Sequence, residues 1–408
     1  MVSSESFSVS ETPVRIERPA TGGGVGRLPD GRVVFVRHSL PGELVLVDVT
    51  EATANFSRGD AVEIVEPSAE RVSAPCDYAH PGGCGGCDLQ HASPTAQASW
   101  KLSLVREHLK RIAGVERDVT ITPALTAAQG SRTRLRCAVN EDGQLSLRGA
   151  RSHDLVVIES CWIANEAFTP AFGTSWEGAE EVELRAIGDG EPFAVVRRDT
   201  HRGTMYELCS FHGEPLEPST QSRVSVQGHY FSVSPRSFWQ SHRSAPQQLL
   251  EAVLSFADVQ AGDHVVDLFS GVGLFAIPLA KAVGPAGRVT AVESSPYAVR
   301  DARQNGDGLR HLKVREWSVR PRAINDSVGE GDIVVLDPPR SGLAKGVVDA
   351  LLRRAPKRLV YVSCDAATFA RDLKALMAGG FNLSDLKVFD LFPMTEHVEL
   401  VALLDIGL

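Results

Sequence analysis

The chain has 408 residues, an ordinary composition of 43% hydrophobic and 23% charged residues, and a length that predicts two or three domains. It contains no apolar run long enough to span a bilayer, and Met1–Ser10 lacks the apolar core of a signal peptide. Neither a membrane protein nor a secreted one is therefore expected, and the cytoplasm is the expected compartment. The net charge of −9 argues mildly against a nucleic-acid partner, although phosphate binding depends on local patches of charge.

The first predicted domain, residues 1–67, is a series of short apolar strands separated by glycine turns. From Phe7 onward, runs such as Arg32–Val36 and Leu44–Asp48 recur at a spacing of roughly ten residues, with a turn at Gly22–Gly24. Strands of this length and spacing predict a small closed β-barrel of the OB type.

The second predicted domain, residues 68–230, mixes strands with one helix and carries a local excess of positive charge. Apolar residues at near-helical spacing predict the helix Gln97–Ile112. Residues 101–153 contain ten Lys or Arg against five Asp or Glu, and three of these arginines alternate: Arg132, Arg134 and Arg136. A strand would hold all three on one face, which is equally compatible with an ordinary solvated surface and with a binding surface.

Cysteines crowd into this second domain. Seven are present in the chain, and in a reducing compartment such crowding indicates metal or cluster ligation, or catalysis, more than disulfides. Four of them, several beside glycines that let the backbone wrap an ion, are the candidate ligands: Cys76, Cys84, Cys87 and Cys161. Cys137 and Cys209 lie in strand-like surroundings and are expected to be small buried residues.

The third predicted domain, residues 231–408, alternates strands with helices as a doubly wound, Rossmann-like α/β sheet does. Near-continuous apolar runs predict parallel strands that are buried on both faces: His264–Phe269, Arg288–Glu293, Asp332–Asp337 and Arg358–Ser363. Helices are predicted between them, including Tyr297–Asn305 and Lys345–Arg354. Two final strands, Leu386–Phe392 and Val398–Asp405, have no room for a helix between them and are predicted to be antiparallel.

The first two strand ends of this sheet suit a nucleoside cofactor with positive charge. Asp267 precedes a turn formed by Gly271 and Gly273, and Glu293 ends the next strand. Glycines let the backbone approach a ligand, and a carboxylate can hold ribose hydroxyls. A nearby acid also favours a cation over a diphosphate. The pattern therefore favours S-adenosylmethionine, and a dinucleotide is the alternative.

The next two strand ends carry candidates for covalent chemistry. Asp337–Arg340 follows one strand and Cys364 the next, so both are expected to face the cofactor crevice. Carbon 5 of uracil is a weak nucleophile, so a thiolate must first add to carbon 6, and a base must later remove the carbon 5 proton. Cys364 suits the first role, and Glu396 and Glu399, in the turn before the last strand, are both candidates for the second.

Four blocks of residues together resemble the TrmA/RlmD-type RNA 5-methyluridine methyltransferases over nearly the whole chain. The first is similar to a TRAM domain, the second is the cysteine cluster, and the last two flank and fill the catalytic domain. They comprise Gly22–Arg27, Val34–Val36 and Leu40–Glu43; Gly86–His91; Ser237–Gln240; and Asp337–Gly342, Val362–Cys364 and His397–Glu399. Each block is a moderate signal, but their order is highly specific.

The resemblance implies a class I methyltransferase and a role for each matched residue. Cys364 would be the nucleophile, Glu399 the proton acceptor, and Phe238 an aromatic residue near the target. Four residues match positions that contact the cofactor or the target base: Gln240, Phe269, Glu293 and Asp337.

The chain departs from the family's pattern at three places. Leu274 stands where some members have Asn, and Asp365-Ala366 stands where Asn-Pro is common. The fourth cofactor contact, near Glu316–Ser318, is not identified by the resemblance.

The resemblance also implies that residues 1–67 and 68–230 bind RNA, and that the four candidate cysteines hold a four-iron, four-sulfur cluster. Such a cluster would shape the RNA surface and take no redox part in methyl transfer. A structural zinc ion, with His80 or His91 as a further ligand, is the alternative.

Three other functions stay open at this point. An RNA-binding protein with a decayed methyltransferase fold would not need the intact set of candidate residues. Methylation of cytosine carbon 5 is disfavoured, because the RNA enzymes that perform it place cysteine where this chain has Pro339. Transfer RNA competes with 23S ribosomal RNA as substrate; the barrel and the cysteine cluster favour ribosomal RNA, and a monomer is expected.

Overall fold

Six short strands form one curled sheet around a small apolar core in the first part of the chain. The computed structural model describes residues 12–201, 203–217 and 220–406, so Phe7 and the predicted start of the barrel lie outside it. A Cβ at Gly26 would lie 2.5 Å from Val14 Cγ1, so this glycine lets distant strands of the sheet approach each other. The strands are β1 Val14–Arg15, β2 Arg18–Ala20, β3 Gly23–Arg27, β4 Val33–Arg37, β5 Leu44–Ala52 and β6 Phe56–Glu66, in the order β1-β5-β6-β4-β3-β2.

A second sheet of six antiparallel strands carries the arginine alternation. Leu135 and Cys137 point into its core while Arg134 and Arg136 point outward, which confirms the predicted alternation. Cys209 is buried as well, as predicted. The sheet has the order β10-β9-β8-β11-β12-β13 and is followed by the hairpin β14–β15; the strands are β8 Arg134–Val139, β9 Leu145–Arg148, β10 Leu155–Val157, β11 Glu181–Arg185, β12 Phe193–Thr200, β13 Gly203–Cys209, β14 Ser222–Val226 and β15 His229–Val233.

The third sheet has eight strands in the order β18-β17-β16-β19-β20-β22-β21-β7, of which the first five are parallel. β22 runs antiparallel to both β20 and β21, as predicted. The strands are β7 Ile121–Pro123, β16 His264–Leu268, β17 Arg288–Glu293, β18 Leu312–Glu316, β19 Ile333–Leu336, β20 Arg358–Ser363, β21 Phe381–Asp390 and β22 Glu399–Ile406.

Helices cover both faces of this third sheet. Apolar side chains of the sheet pack into two separate clusters, one on each face, as a doubly wound sheet requires. The helices of the chain are α1 Pro94–His108, α2 Thr169–Phe172, α3 Ala245–Ala257, α4 Ala276–Val283, α5 Pro296–Asn305, α6 Pro321–Ser327, α7 Val347–Arg354 and α8 Ala366–Ala378. Among the described residues, none of the helices is both long and apolar enough to cross a membrane.

Helix α1 joins the predicted second domain to the third sheet. It begins where the Ser93 side chain accepts a hydrogen bond from Ala96 N, with Pro94 in the first turn, so it starts three residues earlier than predicted. Lys101 on this helix is fully buried, where its ammonium pairs with Asp390 and donates to Phe392 O at 2.9 Å. Because β7 also adds to the edge of the third sheet, residues from the predicted second domain help to build it, and the boundaries at 67 and 230 stay predictions.

Candidate active site

The predicted nucleophile and the predicted acids lie at one edge of the third sheet. Parallel strands β16, β17, β19 and β20 all end there, which brings Glu293, Asp337 and Cys364 to the same side. Ser363 pairs with Leu400 in the antiparallel ladder of β20 and β22. The next position of that register sets Cys364 opposite Glu399, so two residues far apart in sequence become neighbours.

Asp337 lies at the centre of this group. Gln240, from the segment before α3, donates its Nε2 to Asp337 Oδ2 at 3.3 Å. Burial raises the pKa of Asp337 to about 7. A carboxyl group with such a pKa is partly protonated near neutrality. A cation that approaches it lowers its pKa and favours the ionised form.

Cys364 is held as a thiol by its surroundings. Burial raises its pKa to about 12, and the negative charges of Glu399 and Asp337 act in the same direction. The positive charge of Arg340 acts in the opposite direction. A thiolate is the reactive form, so this cysteine needs further positive charge or a base before it can act as a nucleophile.

The two candidate glutamates of the last turn have different surroundings. Glu399 is buried beside Cys364, and burial together with the charge of Asp337 raises its pKa well above the usual range. Glu396 instead accepts a hydrogen bond from Gly22 N, at 2.8 Å, in the first sheet. Burial raises the pKa of Glu396 to about 7. The pairing of β20 with β22 therefore places Glu399 near the Cys364 thiol, whereas Glu396 contacts the first sheet.

The crevice beside β16 and β17 fits a cationic nucleoside. Asp267 is fully buried, and neither of its carboxylate oxygens completes a hydrogen bond, although the Ala276 N–H lies close enough to lower its pKa somewhat. Burial and the charge of Asp337 outweigh that contact and raise the pKa of Asp267 well above its usual range. Glu293 accepts from Gly271 N at 3.0 Å through one oxygen. Acids without a compensating cation suit the positive sulfonium and amino groups of S-adenosylmethionine better than a diphosphate.

The loop between these strands has a backbone conformation that side chains rarely adopt. Phe269, Gly271 and Gly273 have φ values of 65°, 53° and 95°. A Cβ at Gly273 would lie 2.7 Å from Ile277 Cδ1, so glycine is required there. Strain at a residue such as Phe269 is characteristic of ligand-binding loops.

The structure shows the surroundings of two positions that the sequence left open. Leu274 is buried in the apolar core and offers no hydrogen bond to the crevice. Near the unidentified fourth contact, Trp317 N donates to Glu293 O at 2.8 Å, and the Arg315 guanidinium lies 4.6 Å from the Trp317 ring. Trp317 follows β18 at the same edge, so the strand-end argument could have identified it.

The four candidate cysteines line one cavity of about 880 Å³ together with several arginines and Glu396. Gly86 N donates to Cys84 Sγ at 3.3 Å, and a Cβ at Gly85 would lie 2.6 Å from Ala150 N, so the loop is tightly folded around the thiols. Within residues 12–201, 203–217 and 220–406, however, no three His, Cys, Asp or Glu side chains converge closely enough to hold a metal ion. His91 Nε2 lies 3.3 Å from Ser39 O, and this contact argues against His91 as a metal ligand.

The chain is similar to known RNA methyltransferases over most of its length. Family models match the chain as tRNA (Uracil-5-)-methyltransferase at 311–406, TRAM domain at 5–62 and TRM5/TYW2 methyltransferase domain at 243–316. An uncharacterized RNA methyltransferase of Streptomyces coelicolor is 38% identical over 95% of this chain and 91% of its own length. The 23S rRNA (uracil(1939)-C(5))-methyltransferase RlmD of Acinetobacter baylyi is 32% identical over 92% of this chain and 89% of its own length.

A solved structure agrees with these sequence matches. It is the tRNA (uracil-54, C5)-methyltransferase of Pyrococcus abyssi in complex with S-adenosyl-L-homocysteine. It superposes with a TM-score of 0.70 at 25% identity, over 96% of this chain and all of that chain.

The raised pKa of Cys364 predicts slow alkylation that accelerates steeply with pH. With a pKa of about 12, the thiolate fraction rises tenfold for each pH unit between pH 7 and pH 10. The rate of iodoacetamide modification of the Cys364 peptide, followed by mass spectrometry on cofactor-free protein, should rise in the same way. The variant Asp337→Asn removes one of the acidic neighbours and should react faster at each pH. A rate that levels off near pH 8 contradicts this description of the site.

Proposed function

The chain belongs to the RNA uracil-C5 methyltransferase family, and from that membership we propose that it methylates a uridine of 23S ribosomal RNA with Cys364 as nucleophile. It is an S-adenosylmethionine-dependent enzyme that acts on RNA. The observation that supports the residue assignment is the β20–β22 pairing, which ends at Ser363 and Leu400, one residue before Cys364 and one after Glu399, together with the electrostatic effect of Glu399 and Asp337 on Cys364.

The chemistry follows from what each side chain can reach. When bound, S-adenosylmethionine supplies an electrophilic methyl group beside the acids of the crevice. The Cys364 thiolate would add to carbon 6 of uracil, and the electron pair displaced from the double bond would make carbon 5 nucleophilic, so that carbon 5 could accept the methyl group while S-adenosylhomocysteine leaves with the electron pair of the broken sulfur–methyl bond. Glu399 removes the proton from carbon 5, the double bond forms again, and Cys364 leaves as a thiolate.

The remaining site residues hold the partners in place. We assign Gln240, Phe269, Gly271, Gly273, Glu293 and Asp337 to the cofactor and the target base. Glu293 already accepts hydrogen bonds from backbone N–H groups of Gly271 and Ser295, so its oxygens lie at the mouth of the glycine loop. A positive charge beside Asp337 would lower the pKa of that carboxyl and of the Cys364 thiol together, which couples cofactor binding to activation of the nucleophile.

The substrate proposal rests on relatives of two kinds. The Acinetobacter relative is named for ribosomal RNA, and it aligns at 32% identity, whereas the Pyrococcus structure is named for transfer RNA and aligns at 25%. We favour ribosomal RNA on this difference, with residues 1–67 and 68–230 as the RNA-binding parts. We also propose that the enzyme works as a monomer in the cytoplasm.

We further propose that Cys76, Cys84, Cys87 and Cys161 hold a four-iron, four-sulfur cluster. Four thiols around one cavity form the donor set that such clusters use, and the Gly86 N–H supplies a hydrogen bond to one sulfur. The sulfurs would have to close in on the ligand from their present separation. No step of methyl transfer depends on this group.

Loss of the thiol should abolish methylation and spare cofactor binding. We expect RNA from cells that lack the gene to lose 5-methyluridine at one position of 23S ribosomal RNA, as mapped by mass spectrometry. Wild-type protein and Cys209→Ala should restore it, and Cys364→Ala should not. Purified Cys364→Ala should bind S-adenosylhomocysteine within a few fold of wild type. Loss of that binding assigns Cys364 a structural role. Loss of 5-methyluridine from transfer RNA instead of 23S ribosomal RNA contradicts the proposed substrate.

The two glutamates of the last turn should behave differently. Glu399→Gln cannot accept the carbon 5 proton, so the covalent complex between RNA and protein should accumulate and survive denaturation on a gel. Glu396→Gln loses only charge at the Gly22 contact and should turn over without accumulation of the complex. Equal accumulation in both variants, or accumulation in Glu396→Gln alone, contradicts the assignment.

The cluster proposal predicts a coloured protein after anaerobic purification. Iron and acid-labile sulfide should be present in equal amounts, and Cys161→Ser should lose both. Cys137→Ser, which changes a buried thiol outside the proposed ligand set, should keep them. Zinc in place of iron, with the same dependence on Cys161, would favour the alternative ion.

A further inference from the structure

The segment Ser234–Gln240 leads from β15 into the active site and presents alternate side chains to solvent. Gln240, at its end, contacts Asp337. Arg236 and Phe238 are exposed, whereas Ser237 and Trp239, the residues that alternate with them, are buried. Phe238 keeps 53% of its surface exposed, which is unusual for a large apolar residue so close to a catalytic centre.

Buried hydrogen bonds hold this segment in that orientation. The fully buried Asp301 of α5 accepts from Ser234 N at 2.7 Å and from Ser237 Oγ at 2.6 Å. From the other side, the buried Arg185 donates to Ser237 O at 2.8 Å. Buried polar contacts of this strength fix the backbone, so the exposure of Phe238 and Arg236 is built into the fold.

Aromatic rings and guanidinium groups alternate along the surface next to this segment. The Arg236 guanidinium lies between two tyrosine rings, 4.7 Å from the centroid of Tyr206 and 4.3 Å from that of Tyr297. Arg134 lies 5.6 Å from the ring of Phe238. Tyr206 is 49% exposed. We call this surface the stacking strip: Arg134, Tyr206, Arg236, Phe238 and Tyr297.

The charge of the stacking strip is positive despite nearby acids. Glu183 is shared by Arg134, Arg136 and Arg185, at distances of 2.6, 3.1 and 2.5 Å, so one carboxylate faces three guanidinium groups. The excess positive charge lies beside exposed rings, a combination that suits a polyanion whose units also carry flat apolar faces.

We propose that the stacking strip binds unpaired nucleotides that flank the target uridine, with a base stacked on Tyr206 and phosphates beside Arg134 and Arg236. This inference rests on the proposed function, because it takes the Gln240 end of the segment as the place of the target base. The continuity of the segment with the active site is the reason to assign the strip to the same RNA molecule. Fixed aromatic faces bind bases without regard to sequence, so the strip selects for single-stranded RNA at the site.

The test separates stacking from attraction to phosphates. Two fluorescent single-stranded RNAs are used with the full-length protein, both with one central 5-fluorouridine. One has flanking adenosines, and the other has abasic riboses in their place, so that charge is equal and only bases differ. Tyr206→Ala should raise the Kd for the adenosine RNA about tenfold, which corresponds to about 1.4 kcal/mol. The Kd for the abasic RNA should stay the same, and Tyr206→Phe should bind as wild type does.

Tyr230→Ala is the matched control, since Tyr230 is 78% exposed on β15 and lies outside the strip; it should bind both RNAs as wild type does. Equal affinity of the wild-type protein for the two RNAs, including no measurable binding to either, overturns the proposal. A similar loss for both RNAs in Tyr206→Ala also overturns it. A wild-type protein that discriminates between the RNAs but forms no covalent adduct contradicts the proposed chemistry and leaves the strip supported.

Discussion

Three buried acids near one sheet edge constrain everything else in the active site. Burial raises the pKa of all three, and the charge of Asp337 raises the pKa of Asp267 and of Glu399 further. Like charges this close in a low dielectric are unfavourable unless protons or a cation compensate them. Burial raises the pKa of Cys364, and Glu399 and Asp337 act in the same direction. A cationic methyl donor therefore relieves the repulsion and favours the thiolate at once, and this linkage explains why a reactive cysteine can rest safely among carboxylates.

The turn that leads to Glu399, the proposed base, is held by parts of the chain that lie far away in sequence. Gly22 in the first sheet donates to Glu396, and Met394 N donates to Gln97 on α1 at 3.2 Å. Lys101 on the same helix pairs with Asp390 at the end of β21. Because this turn leads directly into Glu399, elements outside the third sheet set the position of the proposed base. RNA bound to the first sheet would thus act on the same turn that completes the chemistry.

The sequence predicts some of these features and not others, for physical reasons. Strands such as Arg288–Glu293 could be identified because burial on both faces leaves a continuous apolar run, and strand ends must then share an edge. The adjacency of Cys364 and Glu399 depends on the insertion of β22 between β20 and β21, which the short connection between the last two strands does not predict. The contact between Gly22 and Glu396 leaves no periodic signal, nor does the addition of β7 to the sheet. The position of Arg236 between Tyr206 and Tyr297 likewise cannot be predicted, because the three residues come from segments that are distant in sequence.

The net charge of −9 is compatible with RNA binding once the buried acids are considered. That count treats every Asp and Glu as ionised. Burial raises the pKa values of Asp337 and Glu396 to about 7, so these two groups contribute less negative charge at neutrality than the count assumes, and burial raises the pKa values of Asp267 and Glu399 as well. Meanwhile the cavity next to them is lined by six arginines: Arg37, Arg132, Arg134, Arg136, Arg151 and Arg340. Positive charge is therefore concentrated where the polyanion must approach, and the excess of acidic residues lies elsewhere on the molecule or is held neutral by burial.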